Sequence, residues 1–107
     1  MSTPTTPWFI GEDMLETITG LNASGVFADA AVVNYAIFTD GGASVPGGTG
    51  TYVYDAGSQG NYRTTIGSTV TAALSEGAVY HLDATIVSGT DHGFRRLFRI
   101  AKYRGAT

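Results

Sequence analysis

Two segments of the chain alternate strictly between apolar and polar residues, and this period of two constrains the fold more than any other feature. Successive side chains of a β-strand point to opposite faces, so the pattern predicts strands with one buried face. In residues 79–87 the inward face carries Tyr80, Leu82, Ala84 and Ile86, and the outward face carries His81, Asp83 and Thr85. In residues 30–39 the odd-numbered side chains, from Ala31 to Thr39, are predicted to face the core.

Glycine-rich turns separate these strands from other predicted elements. A first strand is expected at residues 14–19, and a hairpin at residues 51–55 and 62–66. In residues 68–75 the apolar side chains do not recur at a regular spacing, and we predict a helical turn between the sheets there. Residues 40–50 contain five glycines and a proline, which predicts a mobile loop.

The last element, residues 94–103, fits two patterns. Phe94, Leu97, Phe98 and Ala101 match the helical spacing. Its aromatic and branched residues and the preceding turn favour a strand, and a bulge near Arg95 and Arg96 would reconcile the period. We predict a strand.

The first 13 residues are predicted to form an extended arm. Pro4 and Pro7 cannot donate to a strand ladder, so this segment is expected to lie outside the core. Three consecutive apolar residues, Trp8, Phe9 and Ile10, must nevertheless be buried somewhere, and we expect them to anchor the arm on a partner.

Length and composition then bound the architecture. The chain has 107 residues, 43% of them hydrophobic, and no cysteine. One core can form at this length, and disulfides, cysteine nucleophiles and zinc-thiolate sites are excluded. Seven short strands with glycine-rich turns predict an all-β sandwich at residues 14–107 behind the arm at residues 1–13.

Charge is distributed unevenly along the chain. Six of the nine acidic residues precede residue 63, whereas all six Lys and Arg residues lie at or after it. The basic last strand, with Arg95, Arg96 and Arg99, favours an acidic protein surface as partner. The pI of about 5.0 is unlike that of a nucleic-acid-binding domain.

Residues 74–80 place Leu74, Gly77 and Tyr80 at the spacing L-x-x-G-x-x-Y, just before an alternating strand. This spacing resembles the tyrosine corner. In that motif the tyrosine hydroxyl folds back onto the backbone a few residues upstream and pins a crossover between two sheets. The alternative is a tyrosine that simply enters a core strand.

Together with Gly25-Val26 before the strand at Ala31-Val33, and with the string Ser58-Gln59-Gly60-Asn61-Tyr62-Arg63, the chain resembles small immunoglobulin-like domains of tailed-phage virion proteins. The resemblance covers about residues 14–103. It implies a seven-stranded immunoglobulin-like sandwich and an accessory role in a head, neck, tail or baseplate. It supplies no catalytic residues. The chain lacks the cysteine pair and central-strand tryptophan of antibody domains.

Candidate chemical sites are sparse. Ser88, Asp91 and His92 share one turn, but adjacent side chains at a hairpin tip point apart, so a solvated turn is the better interpretation. His81 and Asp83 with His92 lack a recognised zinc spacing, and Asp40 and Asp55 each offer one carboxylate where calcium needs several oxygens. We expect no enzyme activity, metal or cofactor.

Tyr52 and Tyr54 share a strand face with two possible orientations. Exposed, they would stack on sugar rings; buried, they would lie beside Tyr62 in the core, which we favour.

The expected function is a non-enzymatic virion component that binds other virion proteins or copies of itself. The alternative is a carbohydrate-binding or adhesive module. The N-terminus has no basic residue and no apolar run reaches the length of a signal or membrane segment, so we expect synthesis in a host cytoplasm and a place in the virion.

Overall fold

The computed structural model describes residues 6–23 and 25–105, without the side chains of residues 23, 26 and 27. The described residues form ten strands and one short helix. They are β1 (Pro7–Phe9), β2 (Met14–Ile18), β3 (Asn22–Ala23), β4 (Val26–Phe27), β5 (Val32–Thr39), β6 (Ser44–Thr51), β7 (Val53–Tyr54), β8 (Tyr62–Ile66), α1 (Ser68–Thr71), β9 (Val79–Ser88) and β10 (Asp91–Lys102). Seven strands were expected. The strands that were not expected are the short β1, β3 and β4, of two or three residues, and the eight-residue β6.

Two sheets enclose the core. The larger has the strand order β1-β10-β9-β5-β6, and the smaller has the order β2-β8-β7, while β3 and β4 form a separate pair. The core cluster draws Ile18, Tyr62 and Ile66 from the small sheet and packs them with Val33 and Leu82 of the large sheet. The fold is therefore all-β and sandwich-like.

The alternating segments behave as predicted. The inward side chains of β9 are all buried: Tyr80, Leu82, Ala84 and Ile86. Val33 and Ile37 of β5 are also buried, at 0% and 1% exposure. The helical turn is confirmed as α1 within the predicted residues 68–75.

The last element is a strand, as predicted, but without a bulge. β10 pairs antiparallel with β9 one residue to one residue, from Asp91 opposite Ser88 to Ile100 opposite Val79. The helical spacing of its apolar residues is accidental, because Phe94 and Phe98 lie on the outer face of the sheet. The predicted turn at residues 88–93 is also shorter, since β10 already begins at Asp91.

The predicted mobile loop at residues 40–50 is wrong, because most of it is the edge strand β6. Its glycines are required by packing against β5. A Cβ on Gly50 would lie 2.6 Å from the hydroxyl of Tyr35, and a Cβ on Gly48 would lie 3.0 Å from the Cβ of Ile37. These glycines let the edge strand approach large side chains closely.

The predicted arm outside the core is also wrong for the residues in and next to β1; residues 1–5 lie outside the described part of the chain. β1 pairs in parallel with β10 at the edge of the large sheet, with Trp8 opposite Ala101. Pro7 is tolerated because it is the first residue of an edge strand. Trp8 is 0% exposed and belongs to the core, so a boundary between arm and sandwich at residue 13 does not hold.

Two tyrosine hydroxyls fix connections between strands. The hydroxyl of Tyr80 accepts a hydrogen bond of 2.9 Å from the backbone N–H of Ser75, which is the contact expected from the L-x-x-G-x-x-Y spacing. The hydroxyl of Tyr62 donates to the carbonyl oxygen of Ala28 and accepts from the N–H of Ala31. Both rings are buried, so each bond satisfies a polar atom inside the protein.

The only helix in the described residues is α1, and it is not long and apolar enough to cross a membrane.

Replacement of Gly60 by alanine should destabilise the protein far more than the same change at Gly57. Both glycines have a positive φ, of 73° and 82°. A Cβ on Gly60 would lie 2.3 Å from the carbonyl oxygen of Leu21, whereas a Cβ on Gly57 meets nothing within 4 Å. In urea denaturation the free energy of unfolding should fall by about 1–2 kcal/mol in Gly57→Ala. It should fall by roughly 2 kcal/mol more in Gly60→Ala. Equal losses would contradict the packing at Gly60.

Candidate interaction surface

The outer face of the large sheet carries an apolar surface. We call it the aromatic face; it comprises Val32 and Phe38 of β5, His81, Asp83, Thr85 and Val87 of β9, and Phe94, Arg96 and Phe98 of β10. The register brings these residues together in rows across the strands. Phe38, His81 and Phe98 form one row.

Four large apolar side chains of this face are in contact with solvent. Val32 is 54% exposed, Val87 39%, Phe94 56% and Phe98 37%. They lie on three neighbouring strands, so they form one contiguous surface rather than scattered single residues. A contiguous exposed apolar surface of this kind is typical of protein contact sites.

A salt bridge lies in the middle of the aromatic face. Arg96 donates from Nε and Nη2 to the two carboxylate oxygens of Asp83, at 2.7 and 2.8 Å. These hydrogen bonds hold the pKa of Asp83 below its usual range and raise that of Arg96. The Arg96 guanidinium also lies over the ring of Phe94, at 5.6 Å from its centroid.

His81 lies beside this pair, on the outward face as predicted, but it is not solvated. Only 8% of the residue is exposed, because the rings of Phe38 and Phe98 cover it at centroid distances of 5.4 and 5.9 Å. Its Nε2 is 3.8 Å from an oxygen of Asp83.

The structure offers no metal centre in its described part. His81, Asp83 and Asp40 border a shallow cleft of about 380 Å³, but no group of three or more acidic, histidine or cysteine side chains among the described residues is arranged to hold an ion.

The residues of the predicted turn line a second cleft, of about 350 Å³, at one end of the molecule. Ser88, Asp91, His92 and Arg95 contribute to its wall. Asp91 and His92 are consecutive in β10, so their side chains leave the strand on opposite faces. Asp91 is paired across the strands with Ser88, and His92 with Val87.

The predicted anchors at the N-terminus are used within the chain. Trp8 and Ile10 are buried in the core, at 0% and 9% exposure. Phe9 is half-buried beneath the guanidinium of Arg104, which lies 4.0 Å from the ring centroid. The prediction that these residues contact a partner is wrong for Trp8 and Ile10, because β1 completes the protein's own sheet.

Arg99 was also expected on a partner surface, and its side chain, 15% exposed, instead packs against Glu16. Its Nε and Nη2 donate to the Glu16 carboxylate at 2.9 and 2.8 Å. The indole Nε1 of Trp8 donates to the same carboxylate at 2.7 Å. Glu16 is only 6% exposed. This buried cluster of Glu16, Arg99 and Trp8 joins the two sheets across the interior.

Tyr52 and Tyr54 face inward, as favoured from the sequence. Tyr52 is 3% exposed, and the ring of Tyr54 packs 5.5 Å from that of Tyr62. Val53 between them is 65% exposed. The two tyrosines therefore form no exposed strip for a sugar.

Sequence reasoning missed the aromatic face, although it contains the predicted Arg96. The signal was the spacing of Phe94, Arg96 and Phe98, which places three long side chains on one face of a strand. That spacing was obscured by the helical pattern of the same segment.

A scan against protein-family models finds no match for this chain, and searches of curated proteins and of solved structures find none either.

Removal of the buried carboxylate should be strongly destabilising. Glu16→Ala leaves the Arg99 guanidinium and the Trp8 indole without their acceptor, and a broken buried ion pair costs about 3–5 kcal/mol. The matched control is Glu12→Ala, which removes a carboxylate that pairs with the exposed Arg104. Urea denaturation should show a large loss for Glu16→Ala and a nearly unchanged midpoint for Glu12→Ala. Similar small losses for both would contradict the structural role of the cluster.

Tyr52→Phe should cost little stability, whereas Tyr62→Phe should cost about 1–3 kcal/mol. The Tyr52 hydroxyl is buried without a hydrogen-bond partner among the described residues, while Tyr62 loses two bonds. Burial, and then the charge of Glu16, raises the pKa of Tyr52 to about 12 from 10.0.

Comparison of Tyr52→Phe with the wild type also gives a pH test. A raised pKa favours the neutral phenol in the folded state. The contribution of the neutral Tyr52 phenol to the free energy of unfolding is therefore complete below pH 10.0 and is lost as the pH rises to about 12. Between these values the free energy of unfolding should fall less steeply in Tyr52→Phe than in the wild type. Parallel curves would show that Tyr52 titrates normally.

Proposed function

We propose that this chain is a non-enzymatic structural protein that acts by binding another protein subunit through the aromatic face. The observation that carries the proposal is the exposure of Val32, Val87, Phe94 and Phe98 on adjacent strands. Burying such a surface against a partner removes apolar area from water, which is the main favourable term in protein association.

The position of this surface supports the same function. Its residues lie on strands of the five-stranded sheet, not on loops. β9, at the centre of that sheet, pairs with β10 and β5 along most of its length. A surface held in this way is preorganised, so little conformational entropy is lost when a partner binds.

We further propose that the fold is immunoglobulin-like and that the protein is an accessory component of a tailed-phage virion, made in the host cytoplasm. The sequence strings that resemble such domains support this, and so does the hydrogen bond between Tyr80 and Ser75. The same bond occurs where a tyrosine corner pins a crossover between sheets. We propose no cofactor for this role.

The alternative, a carbohydrate-binding module, has less support because the tyrosines expected to bind sugar are not exposed. It depended on exposed Tyr52 and Tyr54, but both tyrosines face the core. Most of residues 40–50, which were expected to be a mobile loop, is strand β6.

The proposed function predicts that the chain copurifies with particles and that the aromatic face is required. Tagged chain is supplied during infection by the phage that encodes it, and the particles are purified on a density gradient. The variant Val32→Thr/Phe94→Thr should be lost from the particle fraction, because it removes the two most exposed apolar side chains of the face. Threonine retains β-strand propensity, so the fold is preserved.

The matched control is Leu15→Thr/Val53→Thr. These side chains are 61% and 65% exposed, on the outer face of the small sheet. This variant should copurify like the wild type. Absence of the wild-type chain from particles would overturn the virion role, and equal loss of both variants would overturn the assignment to the aromatic face.

A further inference from the structure

We propose that the open edge of β10, at residues 92–97, binds an extended segment of the partner subunit as an added strand, and that this segment carries an acidic residue opposite Arg95. The inference rests on the proposed function, since it names the part of the partner that is held beside the aromatic face. It follows from the backbone groups, the accessibility and the charge of this edge.

β10 has a neighbouring strand along nearly the whole of one side but along only the end of the other. β9 pairs with it from Asp91 to Ile100, whereas β1 pairs with it only from Ile100 to Lys102. The described part of the chain therefore places no strand on the β1 side of residues 91–98.

The direction of the hydrogen bonds shows which backbone groups face this open edge. The N–H of Ile100 donates to Thr6, just before β1, and the N–H of Ala101 donates to Ala78 on the opposite side. Successive residues of a strand point these groups to opposite sides, and the one-to-one register with β9 keeps the alternation to the start of β10. The N–H and C=O groups that point to the open edge are therefore those of His92, Phe94 and Arg96.

The long side chains on the outer face of β10 lean away from this edge. Arg96 reaches over β9 to Asp83, and the ring of Phe98 packs on His81 of the same strand. At one end the Arg99 guanidinium donates to the carbonyl oxygen of Phe98 at 2.8 Å, so the open part ends at residue 97. Six residues of extended strand, about 20 Å long, can receive a partner.

The open edge has neither a proline nor a bulge, two features that prevent strand addition. The opposite edge strand of the same sheet, β6, differs in both access and hydrogen bonding. Pro46 has no N–H to donate, and α1 packs against β6 near Gly47. A long strand edge with regular pairing and no proline is the kind of surface to which other chains add an extended segment.

The charge of the edge favours an acidic segment. Arg96 and Arg99 are paired with carboxylates of the chain, but Arg95 is exposed and takes part in none of the ion pairs among the described residues. Its side chain lies on the face opposite to that of Phe94 and lines the second cleft. An acidic side chain on an added strand, directly opposite Arg95, would point to the same face and neutralise this cation.

The same geometry defines the rest of the segment. The residues on either side of the acidic one would point to the outer face, where apolar side chains continue the aromatic face beside Phe94. A second copy paired through the same edge would bring another Arg95 to this side of the sheet, and like charges on neighbouring strands destabilise the pairing. The occupant is therefore a segment with alternating apolar and polar residues and an acidic residue at its centre.

Amide hydrogen exchange of the full chain, measured by NMR, tests whether the edge is open. The N–H groups of His92, Phe94 and Arg96 should exchange at least about tenfold faster than those of Arg95 and Leu97, which point to β9. Equally slow exchange in both sets would show that another segment, such as residues 1–5 of the same chain, already covers the edge. That result would overturn the inference.

Binding of a probe peptide tests the added strand itself. The acetylated and amidated peptide Val-Thr-Val-Glu-Val-Thr-Val is titrated into the full chain, and the control peptide has lysine in place of glutamate. The glutamate peptide should change the amide signals of His92, Phe94 and Arg96 more than those of Arg95 and Leu97, because only the first three N–H groups gain an acceptor. It should bind about 2–5-fold more tightly than the lysine peptide.

Reversal of the charge on the chain distinguishes pairing with Arg95 from a general attraction. Arg95→Glu should prefer the lysine peptide, because the opposite charges again lie across from each other. The matched control is Arg63→Glu, an exposed arginine on β8 of the small sheet, which should keep the preference of the wild type. Both positions are exposed, so neither change removes a buried contact.

Absence of peptide binding, equal changes at the two sets of amide signals, equal affinity for the two peptides, or a preference unchanged in Arg95→Glu would each overturn the inference. These results are separable from failure of the proposed function, which is measured on particles. A chain that copurifies with particles but does not bind the glutamate peptide would leave the proposed function in place and overturn the added strand. A chain that binds the peptide in this pattern but is absent from particles would support the added strand and overturn the virion role.

Discussion

The buried contact between Glu16, Arg99 and Trp8 is the constraint on which the arrangement of the two sheets depends. A carboxylate that is 6% exposed must find donors inside the protein, and it finds them on β1 and β10. The contact joins residues 83 positions apart in sequence. A slip of β10 by one residue would turn Arg99 outward and leave Glu16 without its charge partner, so the cluster specifies the register.

This constraint also decides the character of the outer surface. With Arg99 facing inward, the alternation of β10 turns Phe98, Arg96 and Phe94 outward. The same strand thus turns Arg99 inward to Glu16 and places a row of aromatic and charged side chains on the outer face. Beside it, the side chains of Arg96 and Phe98 largely cover Asp83 and His81 of β9. The aromatic face is therefore a consequence of the way in which the core is closed.

Much of the fold could be read from local patterns. The period of two in residues 79–87 assigned the core-facing side chains of β9, although His81 on the opposite face is buried as well. The spacing from Leu74 to Tyr80 predicted the bond between Tyr80 and Ser75. Patterns failed where a residue has a role defined by a distant neighbour. The glycines of β6 indicated a loop, but Gly50 lies against Tyr35. Trp8 indicated an anchor on a partner, but it donates to Glu16.

The sequence by itself determined that the chain forms β-strands, which faces of its two alternating segments are buried, and that cysteine chemistry is excluded. These properties depend on residue type and on neighbours close in the chain. Only the tertiary structure decided that β1 completes the large sheet, that Arg99 turns inward to Glu16 while Arg96 faces outward, and that the apolar residues of β5, β9 and β10 form one surface. Those outcomes depend on strand pairing across long sequence distances, and local periodicity carries no information about which strands will be neighbours.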